Sequence, residues 1–307
     1  MGGSTVLGLL LALAPSLVRA QAPATGTWKG VEHFGYQLQG LKKEALLASP
    51  FDLLVIDYSR DGSEGQRWTK ADIAELKTKG RPRRLLAYLS IGEAEKYRYY
   101  WRPAWNDKPP AWLEKENPDW LGNIKVRYWD PAWQALVFGK PDSYLDKIVD
   151  AGFDGVYLDL VDAYEYFEER GRPEAKADMK AFVLALARYA REKRGKPGFG
   201  VFPQNGEGLL DDPEYLAAVT GIGREDTYYG YGAQGKATPA EVTAGFETAL
   251  DKAVAAGKLV LSIDYVTDRK AAAKAYKRAG AHGYLEYCGV RALDRLSPQP
   301  WSPERAK

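Results

Sequence analysis

Gly152-Phe153-Asp154-Gly155-Val156-Tyr157-Leu158-Asp159-Leu160-Val161-Asp162 reads as a helix end, a tight turn and a short apolar strand running straight into carboxylates. Val156, Tyr157 and Leu158 do not alternate with polar residues, which is the pattern of a strand buried on both faces in a parallel sheet. Asp159 falls where that strand stops. A charge there is costly unless it faces a polar cleft or finds a partner, so the stretch predicts both a sheet of parallel strands and a polar mouth at their ends.

The same grammar recurs on both sides. Glu32–Gln37, Phe51–Tyr58, Arg84–Ser90, Phe199–Pro203, Thr220–Arg224, Leu259–Ile263 and Gly283–Tyr287 read as further strands. Between them lie helical patterns at Leu41–Ala48, Thr69–Lys79, Pro131–Ala151, Glu174–Arg194, Asp212–Val219, Pro239–Ala256 and Arg269–Ala279. Strands alternating with helices build a parallel sheet, and eight of them favour a closed (β/α)8 barrel, the TIM barrel, over an open sheet. The regular alternation lapses once. From Glu95 to Trp133 periodicity vanishes and aromatics crowd in, giving a long aromatic-rich insertion after strand three, and a connection of that length is usually functional.

Composition narrows the chemistry. The chain has 307 residues and a net charge of +2, enough for one large domain with a core that needs no staples. No basic run is present, which argues against nucleic acid as a partner. A single cysteine, Cys288, excludes an internal disulfide, and two histidines, His33 and His282, exclude a three-histidine zinc site. Both histidines fall near predicted strand starts, on the face opposite the mouth, and read as structural. Neither a cofactor nor a metal is expected. The apolar run Val6–Val18 followed by Val18-Arg19-Ala20 or Ala20-Gln21-Ala22 resembles a secretory signal peptide over residues 1–22, although no Lys or Arg precedes it. An uncleaved membrane anchor is the alternative. The expected organisation is a signal peptide, one barrel over residues 23–297 and a loose tail over 298–307. The mature chain is then secreted or periplasmic, a monomer, and not inserted in a membrane.

Asp57, Glu93, Asp159, Asp162, Glu225 and Asp264 lie at or just after strand ends, which share one face of a barrel, where active sites are built. Any one of them alone reads equally well as a cap or an ion-pair partner. Asp72, Asp212 and Asp268 each open a helix and read as caps. Six converging carboxylates with almost no histidine fit glycoside hydrolysis, which needs one carboxyl group to protonate the leaving oxygen and another as nucleophile or base. Like charges raise the pKa of the most buried member, which then keeps its proton; the residue types alone do not say which member that is. Gln204 and Asn205 offer amides to sugar hydroxyls, and Tyr58, Tyr88, Tyr228 and Tyr265 sit at strand ends where rings can wall a subsite. In the insertion, Trp129 and Trp133 read as anchors, and Trp101 or Trp105 as a stacking platform.

An ordered set of segments then makes the reading specific: FGYQLQG at 34–40, VIDYS at 55–59, LSIGEAEKYR at 89–98, DGVYLDLVDAYE at 154–165, PQNGE at 203–207, REDTYYGYG at 224–232 and SIDYV at 262–266. Together they resemble the glycoside hydrolases of the endo-alpha-1,4-polygalactosaminidase type and their bacterial and archaeal relatives. The resemblance implies a (β/α)8 barrel whose catalytic pair corresponds to Asp159 after strand four and Glu225 after strand six. By the same resemblance Asp159 is the nucleophile and Glu225 the acid/base. Glu207, which follows a strand end within a Gly-rich turn, is the reserve for Glu225 and reads otherwise as a loop residue beside the site. The expected substrate is an amino-sugar polysaccharide, since a negative cleft concentrates cations. A barrel that binds polysaccharide without cutting it is the alternative.

Overall fold

The computed structural model describes residues 28–301. The segment expected to be a signal peptide, residues 1–22, lies outside the described residues. Among the described residues no helix is long and apolar enough to cross a membrane.

Eight parallel strands form the frame: β1 (Phe34–Gln37), β2 (Leu53–Asp57), β3 (Arg84–Ser90), β7 (Gly155–Asp159), β8 (Gly200–Pro203), β9 (Gly221–Glu225), β10 (Leu259–Asp264) and β11 (Leu285–Cys288). Each expected strand is present, with ends shifted by a few residues at most. The first five pair in the order β1-β2-β3-β7-β8, and the last three as β9-β10-β11. Two backbone hydrogen bonds join the sheets, from Thr220 N to Val201 O and from Asn205 N to Gly223 O. Side chains rather than a ladder fill the seam between β11 and β1, where the Phe34 and Tyr287 rings lie 5.8 Å apart. All residues of β1, β2 and β8 are buried, as strands covered on both faces must be.

Helices α1 (Lys43–Ala48), α2 (Lys70–Thr78), α4 (Tyr144–Ala151), α5 (Ala163–Glu168), α6 (Ala175–Arg188), α7 (Pro213–Ala218), α8 (Ala240–Ala255) and α9 (Arg269–His282) connect these strands. Their starts were legible: Thr69 and Asp72 form a capping box, and Asp212 and Asp268 accept from first-turn amides. The turn that leads into β7 is closed by Gly152 in the left-handed conformation, φ 95°.

Three segments depart from the sequence reading. The stretch Pro131–Ala151 is two helices, α3 (Pro131–Val137) and α4, broken where Gly139 and Pro141 interrupt the pattern. The aromatic-rich stretch between β3 and β7 is not irregular: β4 (Glu93–Glu95), β5 (Leu113–Glu116) and β6 (Asn123–Val126) form an antiparallel sheet in the order β4-β6-β5. Strands of three or four residues are too short to show a period. The tail is pinned as far as Trp301, not loose from Pro298. Gln299 is fully buried and exchanges hydrogen bonds with the Cys288 backbone, and Trp301 stacks on His33 at 3.7 Å.

Candidate active site

Three neighbouring strands end in the same unusual way. β7 ends at Asp159, with Leu160 next at φ 57°. β9 ends at Glu225, with Asp226 next at φ 55°. Between them β8 leads into Gln204, with Asn205 next at φ 59°. The left-handed conformation costs a residue with a side chain about 1–2 kcal/mol. Among the described residues only four non-glycine positions adopt it, and three of them follow directly on Asp159, Gln204 and Glu225. Strain of this kind persists where the surroundings over-determine a functional turn. Gly92 leaves room for the first of these turns, since a Cβ there would meet Leu160 O at 2.4 Å.

The turns aim three side chains at one point. Gln204 Nε2 donates to Asp159 Oδ1 at 2.8 Å and to Glu225 Oε2 at 2.9 Å. The Tyr36 hydroxyl donates to Gln204 Oε1 at 3.3 Å, which fixes which end of the amide faces the carboxylates. Asp159 also accepts from the Tyr88 hydroxyl at 2.6 Å and the Leu160 amide at 2.8 Å. Glu225 accepts from the Tyr265 hydroxyl and from Asn205 Nδ2, the latter at 3.3 Å. Beneath them the Tyr157 hydroxyl occupies space that any side chain at Gly223 would fill.

Electrostatics separates the two carboxyl groups. Burial is the main cause that pushes Glu225 up to about 7, and the charge of Asp159 adds to it. Asp159 is pushed up only to about 6, again by burial first, because the Tyr88 hydroxyl and the Leu160 amide stabilise its anion. Asp159 therefore ionises before Glu225.

Both line a cleft of about 910 Å³, with Tyr36, Tyr88, Gln204, Asn205 and Tyr265 at its floor. Its walls come from the loops after β1 and β11, the loop after β2, and the hairpin of β5 and β6. Asp57 and Glu93 line it too, but their charges are partnered. Arg98, whose side chain is wholly buried, lies 2.7 Å from Asp57 and 2.6 Å from Glu95. Glu93 pairs with Lys125 at 3.1 Å and accepts from Asn117 at 2.9 Å. Of the six strand-end carboxylates, Asp159 and Glu225 are centred in the cleft, Asp57 and Glu93 line it with partners, and Asp162 and Asp264 are outside its lining.

The other sequence candidates lie outside the cleft lining. Asp264 is fully buried and its Oδ1 accepts from the amides of Tyr228 and Tyr229, fastening the loop that follows Glu225. Tyr58 and Tyr228 are buried outside the cleft lining. Asp162 and Glu207 lie behind the floor, where Glu207 sits 3.9 Å from Arg224, and burial with the charge of Glu165 pushes Asp162 up to about 6. A strand-end position fixes which face a residue is on, but not whether its side chain turns into the cleft or behind the next strand. Arg98, Glu95, Arg291 and Trp120 line the cleft and were not candidates in the sequence. Their loops have no period to place them. His33 and His282 are remote from the cleft, His33 stacked on Trp301 and His282 beside Glu247 and Asp251. Among the described residues no group of three or more His, Cys, Asp or Glu side chains is arranged to hold a metal ion.

Comparison with known proteins places the chain. It belongs to glycoside-hydrolase family GH114, whose family model matches residues 16–301. Uncharacterized proteins of Deinococcus radiodurans and Methanocaldococcus jannaschii are each 41% identical to it, over 87% and 86% of this chain and 82% and 78% of theirs. The glycoside hydrolase domain of PelA from Pseudomonas aeruginosa is 20% identical, with a TM-score of 0.67 over 88% of this chain and 99% of that one. Ega3 of Aspergillus fumigatus, solved as a complex with galactosamine, is 18% identical, with a TM-score of 0.64 over 87% and 95%. At such identities these two likenesses speak for the fold.

Proposed function

We propose that this GH114 chain cuts an amino-sugar polysaccharide, an alpha-1,4-galactosaminoglycan-like polymer, at internal linkages, with Asp159 as nucleophile and Glu225 as general acid and base. The observation that carries this is the shared donor. Oxygens 2.8 and 2.9 Å from one nitrogen can be separated by at most the sum of those distances, about 5.7 Å. Retaining glycosidases hold their two carboxyl groups about 5–5.5 Å apart and inverting ones about 6.5–9.5 Å, and a limit set on the facing oxygen of each group supports the retaining alternative.

In that reading Glu225 enters protonated and gives its proton to the leaving oxygen while ionised Asp159 attacks the anomeric carbon. Water then displaces Asp159, with Glu225 accepting its proton. Tyr88 and Tyr265 hold the two carboxyls, Gln204 spends both its amide hydrogens on bridging them, and Asn205 keeps one amide hydrogen for a sugar hydroxyl. Asp61 and Asp119, on the cleft walls and without cationic partners among the described residues, favour a substrate bearing ammonium groups. The galactosamine bound to Ega3 supports the same class. The two parallel sheets are read as the wall of one (β/α)8 barrel, in an exported monomer.

Release of reducing ends from a panel of amino-sugar, neutral and uronic-acid polymers tests this. Preference for a de-N-acetylated galactosamine polymer is expected. Preference for uronic-acid polymers would refute the substrate class. Binding of polymer without cleavage would favour a non-catalytic polysaccharide-binding barrel.

A further inference from the structure

Eight of the nine tryptophans lie in the core or pack against it, including Trp101 and Trp105, whose rings meet edge to face at 5.3 Å. The ninth, Trp120, is 54% exposed and lines the cleft. An indole left half in water beside a binding cleft forgoes apolar burial, which points to a ligand that covers it.

Trp120 is also held rigidly. It sits at the tip of the β5–β6 hairpin, where Asn117 N donates to Asn123 O at 2.7 Å and Asn123 N to Trp120 O at 3.0 Å. Gly122 N donates to Glu116 Oε1 at 2.8 Å, and Lys96 N, from the chain after β4, donates to Gly122 O at 2.8 Å. The tip is thereby fastened to the insertion sheet and does not need ordering when a ligand arrives. The preceding residue, Asp119, is exposed and lines the same cleft, and its carboxylate has no hydrogen bond or ion pair among the described residues.

We propose that the hairpin tip is a remote sugar subsite, in which Trp120 stacks on the apolar face of an amino-sugar ring and Asp119 pairs with that ring's free ammonium. The proposal rests on the reading of the cleft as an amino-sugar polymer site and extends it. Trp120 comes from the β5–β6 hairpin, and Asp159 and Glu225 from the ends of β7 and β9, so in this proposal the tip holds a ring other than those flanking the bond being cut. Chain length and de-N-acetylation are then read by two residues that take no part in bond cleavage.

The test compares wild type, Trp120→Ala, Trp120→Phe and Asp119→Asn on a short and a long galactosamine oligomer, de-N-acetylated and N-acetylated. Trp120→Ala is expected to lose about tenfold more kcat/KM on the long oligomer than on the short one, and Trp120→Phe to recover part of that loss. Asp119→Asn is expected to narrow the preference for de-N-acetylated over acetylated chains. A Trp120→Ala variant whose dependence on chain length matches wild type overturns the proposal. If wild type cuts none of these oligomers, the catalytic reading fails by itself, and the subsite is read by affinity electrophoresis in de-N-acetylated galactosamine polymer. Retardation of wild type that Trp120→Ala abolishes supports the subsite, whereas equal mobility of the two overturns it.

Discussion

Asp159 and Glu225 accept hydrogen bonds from a single nitrogen, Gln204 Nε2, so two carboxyl groups from strands on either side of β8 are held at a fixed separation by the residue between them. One N–H donor group shared by two acids stabilises whichever is ionised, but burial makes a second negative charge costly. Between about pH 6 and pH 7 the pair therefore carries one proton, and the order of their pKa values leaves it on Glu225.

The rate follows from that form. Activity needs Asp159 ionised and Glu225 protonated, so kcat/KM should trace a bell with limbs near 6 and 7, both belonging to the coupled pair. The Tyr265 hydroxyl stabilises ionised Glu225 and so lowers its pKa. Removing it in Tyr265→Phe raises that pKa, and the alkaline limb should move to higher pH. Initial rates across the pH range check this; a limb that moves to lower pH would contradict the assignment.

Gly92 supports Asp159 at a distance. A methyl group at Gly92 meets the Leu160 carbonyl at 2.4 Å and the Ala163 Cβ at 2.8 Å, and Ile91 N donates to Asp159 O at 3.1 Å. Gly92→Ala must therefore displace the turn that aims Asp159. A shift of about 1 Å in a reacting group can cost about 100-fold. The expected result is a fall in kcat of at least about tenfold, with a destabilisation of about 1–3 kcal/mol by urea unfolding. Unchanged kcat would show that the turn has slack.

Arg98 is a structural matter inside the same cleft. Its buried guanidinium lies 2.7 Å from Asp57 and 2.6 Å from Glu95. Arg98→Met leaves two buried carboxylates without their cation, and breaking a buried pair in this way costs about 3–5 kcal/mol. Adding Asp57→Asn and Glu95→Gln to Arg98→Met should return part of that stability in urea titrations. A single variant as stable as wild type would mean that water reaches these carboxylates.

The frame was legible because doubly buried strands are apolar throughout: FDLLVIDY, RLLAYLS and GVYLD announce themselves whatever surrounds them. Helix starts at Thr69, Asp212 and Asp268 were legible through cap chemistry. Asp159, Glu225 and Gln204 could be named from strand ends and from the family resemblance, but not their meeting, because pairing across strands fixes it. Asp57 and Asp264 show the limit. Both end strands as Asp159 does, yet one is bound to Arg98 and the other holds the amides of Tyr228 and Tyr229. Trp120 was hidden for a related reason. In a stretch so rich in tryptophan, sequence cannot say which ring the short antiparallel sheet leaves uncovered.

The most direct measurement is kcat for wild type, Asp159→Asn and Glu225→Gln on the preferred galactosamine polymer, with thermal unfolding and polymer binding measured on the same preparations. Catalysis by this pair requires each variant to lose at least about 100-fold in kcat while still folding and binding. Either variant retaining a rate within a few-fold of wild type would remove that residue from the chemistry and contradict the assignment.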